Sequence, residues 1–322
     1  MRLSSAVLSL MFAAAAIFNI AAQGRESGDA GEKRFRENAP KFHENFSAGA
    51  FEKNGPLVTP DIDVDSNNVR LIGRDNFVAR IKRYSVPFPG MQLKDRVIIV
   101  DGNTAAVNYY LQGRHGGPYG KIAATGNNVQ AMSGEVFEFN AEGLMKKLTT
   151  ITDIHLLETQ INGSAKVVEF QKIALLPNGS VSEEKRAKLR AAAASFDKNF
   201  NERHLEKNAD LAAKNVRIDA DNTIRSSRSE LLKLSQRLTT AFPDMQIQDE
   251  YVLADGNRAA VEYIMQGTQT GPYTRPDGTQ LAPTGRPVRV RGIDFMEFDR
   301  AGLLGELVVV YNESDFESQL TP

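Results

Sequence analysis

The chain has 322 residues, 41% of them hydrophobic and 25% charged, which suits packed globular domains and argues against a disordered polymer. Its 39 Lys and Arg against 40 Asp and Glu leave a net charge of −1, which removes the electrostatic basis for a nucleic-acid partner or an anionic membrane surface. There is no cysteine, so disulfides and thiolate chemistry are excluded.

Met1 and Arg2 precede an apolar stretch from Ala6 to Ala22, which ends in small residues before Gln23, Gly24 and the charged Arg25 and Glu26. This is the layout of a cleaved secretory signal over residues 1–24, with an uncleaved membrane anchor or a buried helix as the alternative, and it predicts an exported protein with no membrane contact after leader removal. Helical spacing follows at Phe42, Phe46 and Ala50, and a second helix is predicted over Asp75 to Tyr84. Asp101-Gly102-Asn103 then sits between the β-formers Arg96 to Val100 and Thr104 to Leu111, which predicts a hairpin. Two more strands are predicted at Val129 to Phe139 and Leu144 to Ile151, around a turn containing Gly143. Residues 163–186 form a connector with the turn signal Pro177-Asn178-Gly179-Ser180, and its Val167 to Leu176 stretch is apolar enough to form a strand or pack on a domain. Asn-x-Ser sequons at Asn45, Asn162, Asn178 and Asn312 would accept glycans only in a eukaryotic host.

The remainder repeats the first half. Asn54 falls on Asn208 with an offset of 154, which holds as far as Tyr119 on Tyr273 and lays Asp101-Gly102-Asn103 on Asp255-Gly256-Asn257. An insertion of five residues near Arg275 to Pro283 changes the offset to 159, which carries Thr125-Gly126 onto Thr284-Gly285 and Phe139 onto Phe298. The second copy accordingly predicts helical spacing at Phe196, Phe200 and His204, a helix over Ser229 to Ala241, and strands at Val288 to Phe298 and Leu303 to Tyr311. The expected architecture is α+β: two tandem modules at 31–162 and 187–321, each a four-stranded antiparallel sheet with helices packed on one face.

The string Asp101-Gly102-Asn103, Gly113-Arg114-His115-Gly116-Gly117, Thr125-Gly126, Phe137-Glu138-Phe139, Gly143, Asp153 and Gln160 resembles the SnoaL-like polyketide cyclases of the nuclear transport factor 2-like superfamily. The resemblance covers both modules. It implies a curved sheet wrapped by helices into a cone around a mostly apolar pocket. It also implies that some relatives close a ring by an intramolecular aldol step, using an acid/base aspartate and neither metal nor cofactor. The implied partner is a small apolar or carbonyl-bearing molecule, the alternative being a non-catalytic tandem protein whose duplication serves binding or interaction; the oligomeric state is left open.

Asp153 is the candidate acid/base group, because it ends the last strand where the resemblance puts its aspartate. A second reading stands beside that one, since Asp153 precedes Ile154-His155-Leu156-Leu157 and an aspartate there caps a helix. His115, beside Gly116 and Gly117, could orient a substrate or stand as an ordinary loop histidine; its counterpart is Gln269. Glu135 pairs with Asp294 on the third strand, each on either the cone face or the outer face. Tyr109 and Tyr263 occupy matching strand positions, as pocket lining or as core. Because Asp153 is matched by Asn312 and His115 by Gln269, catalysis, where present, is expected in the first module. The four histidines are too scattered to suggest a metal set, and Asp61, Asp63 and Asp65 lack the glycine and glutamate of a calcium loop.

Overall fold

The computed structural model describes residues 29–177 and 181–321; the apolar leader and the Asn178 sequon lie outside them. The first module runs α1 (Asp29–Ser47), a 3₁₀ turn (Phe51–Leu57), β1 (Val58–Ser66), β2 (Val69–Ile72), α2 (Arg74–Lys82), β3 (Gln92–Asp101), β4 (Thr104–Arg114), β5 (Asn128–Phe139), β6 (Met145–Thr152) and α3 (Ile154–Ile161). The second runs α4 (Glu183–Asn201), α5 (Leu205–Asp210), β7 (Ala212–Ala220), β8 (Thr223–Ser226), α6 (Arg228–Ala241), β9 (Gln246–Asp255) and β10 (Arg258–Thr268). It continues through the short hairpin β11 (Tyr273–Thr274) and β12 (Gln280–Leu281) to β13 (Pro287–Phe298), β14 (Leu304–Tyr311) and α7 (Glu313–Leu320).

Each sheet has six strands rather than four, in the orders β2-β1-β6-β5-β4-β3 and β8-β7-β14-β13-β10-β9. The four expected strands form an antiparallel meander, and the additional β1 and β7 join it in parallel to β6 and β14. Asp101 and Asp255 each lead into a turn whose glycine, Gly102 or Gly256, has φ near 63°, a position that a side chain would strain. The connector is shorter than expected, because α4 starts at Glu183 under the cap of Ser182. Its described residues form no strand; Leu176 packs on the sheets, and its N–H donates to the Arg96 carbonyl at 2.9 Å.

The concave face of each sheet holds its own core. Phe35, Ala39, Phe42 and Phe46 of α1 close the first cone, and Leu189, Ala193, Phe196 and Phe200 of α4 close the second at the same offset of 154. The outer faces are apolar too. Val97, Ile99, Ala106, Val136 and Ile151 meet Leu253, Ala260, Ile293, Phe295 and Val308 in a third cluster, so the two sheets pack against each other. Charged pairs around this seam obey the duplication. Arg36 donates to Asp255, its counterpart Arg190 donates to Asp101, and Glu32 meets its own counterpart Arg186, with Nη2 to Oε2 at 2.8 Å. The tandem chain thus reproduces inside one polypeptide the self-complementary contact of a twofold dimer.

Candidate functional site

Helix α1 turns His43 into the first cone beside Phe42. There its Nε2 meets Glu135 of β5 at 3.0 Å and its Nδ1 meets Asp95 of β3. Tyr109 of β4 completes the chain, its hydroxyl donating to the other Glu135 oxygen at 2.9 Å. Burial disfavours a charged imidazole, yet the fields of Glu135 and Asp95 outweigh it and push His43 up to about 10. The ring is therefore a cation at neutral pH, with both N–H groups committed to carboxylates. Burial, and then the neighbouring Glu135, raise the Tyr109 phenol well above its ordinary range.

The second cone carries the same frame with one decisive change. The offset of 154 sets Asp197 against His43 and Asp249 against Asp95, and the offset of 159 sets Asp294 against Glu135. The Tyr263 hydroxyl donates to Asp294 Oδ1 at 3.1 Å, as Tyr109 donates to Glu135. Three carboxyls now converge where the first cone has two and a cation. Among the described residues, no Lys, Arg or His pairs with them. Burial, reinforced by Asp249 and Asp294, raises Asp197 well above the carboxylate range, and burial also raises Asp249. Asp294 is pushed up to about 7, by burial first and by Asp249 after it, against the hydrogen bond from Tyr263. Asp197 Oδ2 and Asp249 Oδ1 have no conventional donor among the described residues, so a proton shared between the two acids is the partner open to them.

A cavity of about 110 Å³ opens at two of the three acids, lined by Asp197, Asp294 and Tyr263 and otherwise mainly by apolar side chains such as Leu231, Leu238 and Met296. The matching positions of the first cone hold Phe77, Tyr84 and Phe137. Bulkier rings take those places in the first cone. Gly292 also shapes the second cone, because a Cβ there would lie 2.4 Å from Tyr263 Cζ. The ring that carries the hydroxyl to Asp294 needs the bare backbone of its cross-strand partner.

The residues singled out from sequence divide into three groups. Tyr109 and Glu135 meet in the first cone, and Tyr263 and Asp294 in the second, so both acids take the cone face. His115 is buried in the loop after β4, where its Nδ1 accepts from the Thr125 N–H at 3.3 Å. Gln269 braces the same loop in the second copy by accepting from Thr284 Oγ1 at 2.6 Å, so this position holds loops rather than joining the carboxyls. Asp153 stands in the seam. Its Oδ1 caps α3 through the Leu156 N–H at 3.3 Å, and its Oδ2 accepts from Asn222 of the second module at 2.6 Å. Of the two readings of Asp153 the geometry supports the helix cap: α3 begins there, and sheet-to-sheet packing brings Asn222 against it. Asn312, its counterpart, accepts from the Ile154 N–H at 3.2 Å, so each module helps to tie the seam. His43, Asp95, Asp197 and Asp249 were missed, although the paired acids at 95 and 249 were legible from the offset.

Comparison with known families matches the SnoaL-like domain to residues 39–148 and the SnoaL-like polyketide cyclase to residues 190–320. Among solved structures, a protein of Jannaschia sp. CCS1 assigned to the SnoaL-like polyketide cyclases is 20% identical, over 43% of this chain and 97% of its own, with a TM-score of 0.39. One from Xanthomonas campestris pv. campestris, assigned as a polyketide cyclase, is 20% identical over 41% of this chain and 98% of its own, with a TM-score of 0.39. IdmH of Streptomyces antibioticus, also assigned as a polyketide cyclase, is 17% identical over 40% of this chain and 98% of its own, with a TM-score of 0.37. A comparison with curated proteins finds no match. The chain belongs to the SnoaL-like family, as two tandem copies of its domain joined back to back through their sheets.

Proposed function

We propose that this is an exported small-molecule-binding protein whose second cone holds the ligand and exchanges protons with it, while the first cone serves as a filled scaffold. The observation that carries the reading is the cavity at Asp197, Asp294 and Tyr263, set against a first cone in which His43 already satisfies the equivalent acids. A carboxyl near 7 gives up and regains a proton around neutral pH, which suits general acid/base work. Asp294 is the proton-transfer group in this reading, Tyr263 orients it, and Asp197, which shares its proton with Asp249, accepts a hydrogen bond from a polar group of the ligand. The reaction class is a cofactor-independent cyclisation or isomerisation of a small molecule. A volume of about 110 Å³ is slightly below the 150 Å³ cavity known to admit benzene, so one small ring or the leading end of a longer molecule fits.

Native mass spectrometry of the purified secreted protein tests the binding reading. A retained small molecule is expected, and Met296→Phe, which gives the second cone the first cone's residue, should release it. Retention unchanged in Met296→Phe would move the site elsewhere. The apolar stretch Ala6 to Ala22 supports export, and the secreted form should begin near Gln23 to Arg25; secreted material that still carries Met1 would refute a cleaved leader.

A further inference from the structure

The duplication presents one arrangement of strands with and without its cation. In the first cone, an imidazolium on α1 lies between a β3 carboxylate and a β5 carboxylate and donates to both. In the second, the β9 and β13 carboxyls Asp249 and Asp294 remain, the α4 position adds a third acid, and the space is a cavity. Asp197 has only 7% of its surface exposed, lines that cavity, and has an oxygen without a conventional donor. The other charged residues that line it, Asp221 and Arg237, satisfy each other at 2.6 Å and leave the three acids uncompensated.

We propose that the second cone takes a small organic cation, a protonated amine or imidazolium with an apolar body, whose N–H groups are received by Asp197 and Asp294 in the place that the His43 ring fills in the first cone. The proposal rests on the second cone being the ligand site and adds the charge class of the ligand. Its chemistry balances without a further reactant. An amine that enters neutral takes the proton of a neutral acid and leaves an ammonium beside a carboxylate; an amine that enters charged displaces that proton to solvent. The apolar lining from Leu231, Leu238 and Met296 receives the carbon body and disfavours strongly hydrated inorganic cations.

Isobutylamine and isobutanol are nearly the same size and differ in charge, which makes them the test pair, with imidazole as a third probe. Calorimetric titration of the full chain at pH 8 should show isobutylamine and imidazole binding at least about tenfold more tightly than isobutanol. Asp294→Asn should weaken isobutylamine at least about tenfold. Asp197→His, which supplies the first cone's own cation, should abolish amine binding and raise the melting temperature. If isobutanol binds as tightly as the amine and Met296→Phe abolishes both, the ligand site stands and the cation class falls. If neither molecule binds, the cation proposal falls, and retention of a native ligand decides the site separately. Amine binding unaffected by both Asp294→Asn and Asp197→His would also overturn the proposal.

Discussion

Replacing His43 by glutamine tests whether the first cone depends on a buried cation. The imidazolium is 2% exposed and donates to Asp95 and Glu135, and Tyr109 is bound to the same Glu135. Removing one partner from a buried ion pair costs about 3–5 kcal/mol, because the charge left behind has lost water and gained nothing. Linkage gives a similar size: a rise from 6.5 to about 10 corresponds to about 5 kcal/mol of stability tied to the proton. Its sign follows from which state holds the proton. Between pH 6.5 and 10 the folded protein keeps it and the unfolded chain releases it, so the contribution is complete below 6.5 and is lost as pH rises towards 10. His43→Gln should therefore lower stability by about 3–5 kcal/mol at pH 6.5, roughly 10 °C in melting temperature, and should flatten the decline between pH 7 and 10. Urea unfolding followed by circular dichroism is the assay, since the chain has no tryptophan. A loss below about 1 kcal/mol, or a wild-type protein equally stable at pH 7 and pH 10, would refute the ion-pair account.

The second cone should respond in a different window: Asp294 rises from 3.8 to about 7, so its contribution is present below about pH 4 and lost as pH approaches 7, and Asp294→Asn should remove that slope in a melting series from pH 4 to 8. Gly292→Ala should displace the Tyr263 ring and cost about 1–3 kcal/mol while weakening ligand retention; an unchanged melting temperature would show that the ring has room to move. Protease should nick the connector between Ser164 and Ser182, where Val168 is exposed, yet the two fragments should co-elute on size exclusion until denaturant is added, because the seam holds them. Asp153→Ala should cost about 1–2 kcal/mol, through the lost α3 cap and Asn222 contact, and leave ligand retention in the second cone intact; loss of that retention would return Asp153 to the site.

What the sequence made legible follows from how each interaction is encoded. The meander strands were readable because their turns need glycine at a left-handed position and their apolar residues recur in runs. β1 escaped because Pro60 and the acidic Asp61, Asp63 and Asp65 obscure its alternation and raise the question of a calcium loop instead. The same alternation places Ile62 and Val64 in the core, the signal of a half-buried strand. The sheet-to-sheet seam was hinted at only by the unbroken run Val97 to Val100, which alternates between the cone core and the seam. His43 was hidden because helical spacing drew attention to Phe42 and Phe46, and because a cation between two acids depends on three elements far apart in sequence. Tyr109 and Glu135 were found by strand parity, but parity could not choose the inner face. The packing of α1 on that face chose it.

The cost of the second cone is itself an argument about its role. A buried carboxyl without a cation loses hydration that one shared proton replaces only in part, and three such groups meet there. The first cone shows that this frame can close with the charge balanced by one side chain and the space filled by rings. Folding therefore does not require Asp197, the cavity or the smaller lining. Both modules contribute to one seam, so the satisfied first cone and the paired sheets support the second one. Local rules are broken at one point in a chain that obeys them at the duplicate of that point. Such a departure is expected of a site kept for what it binds.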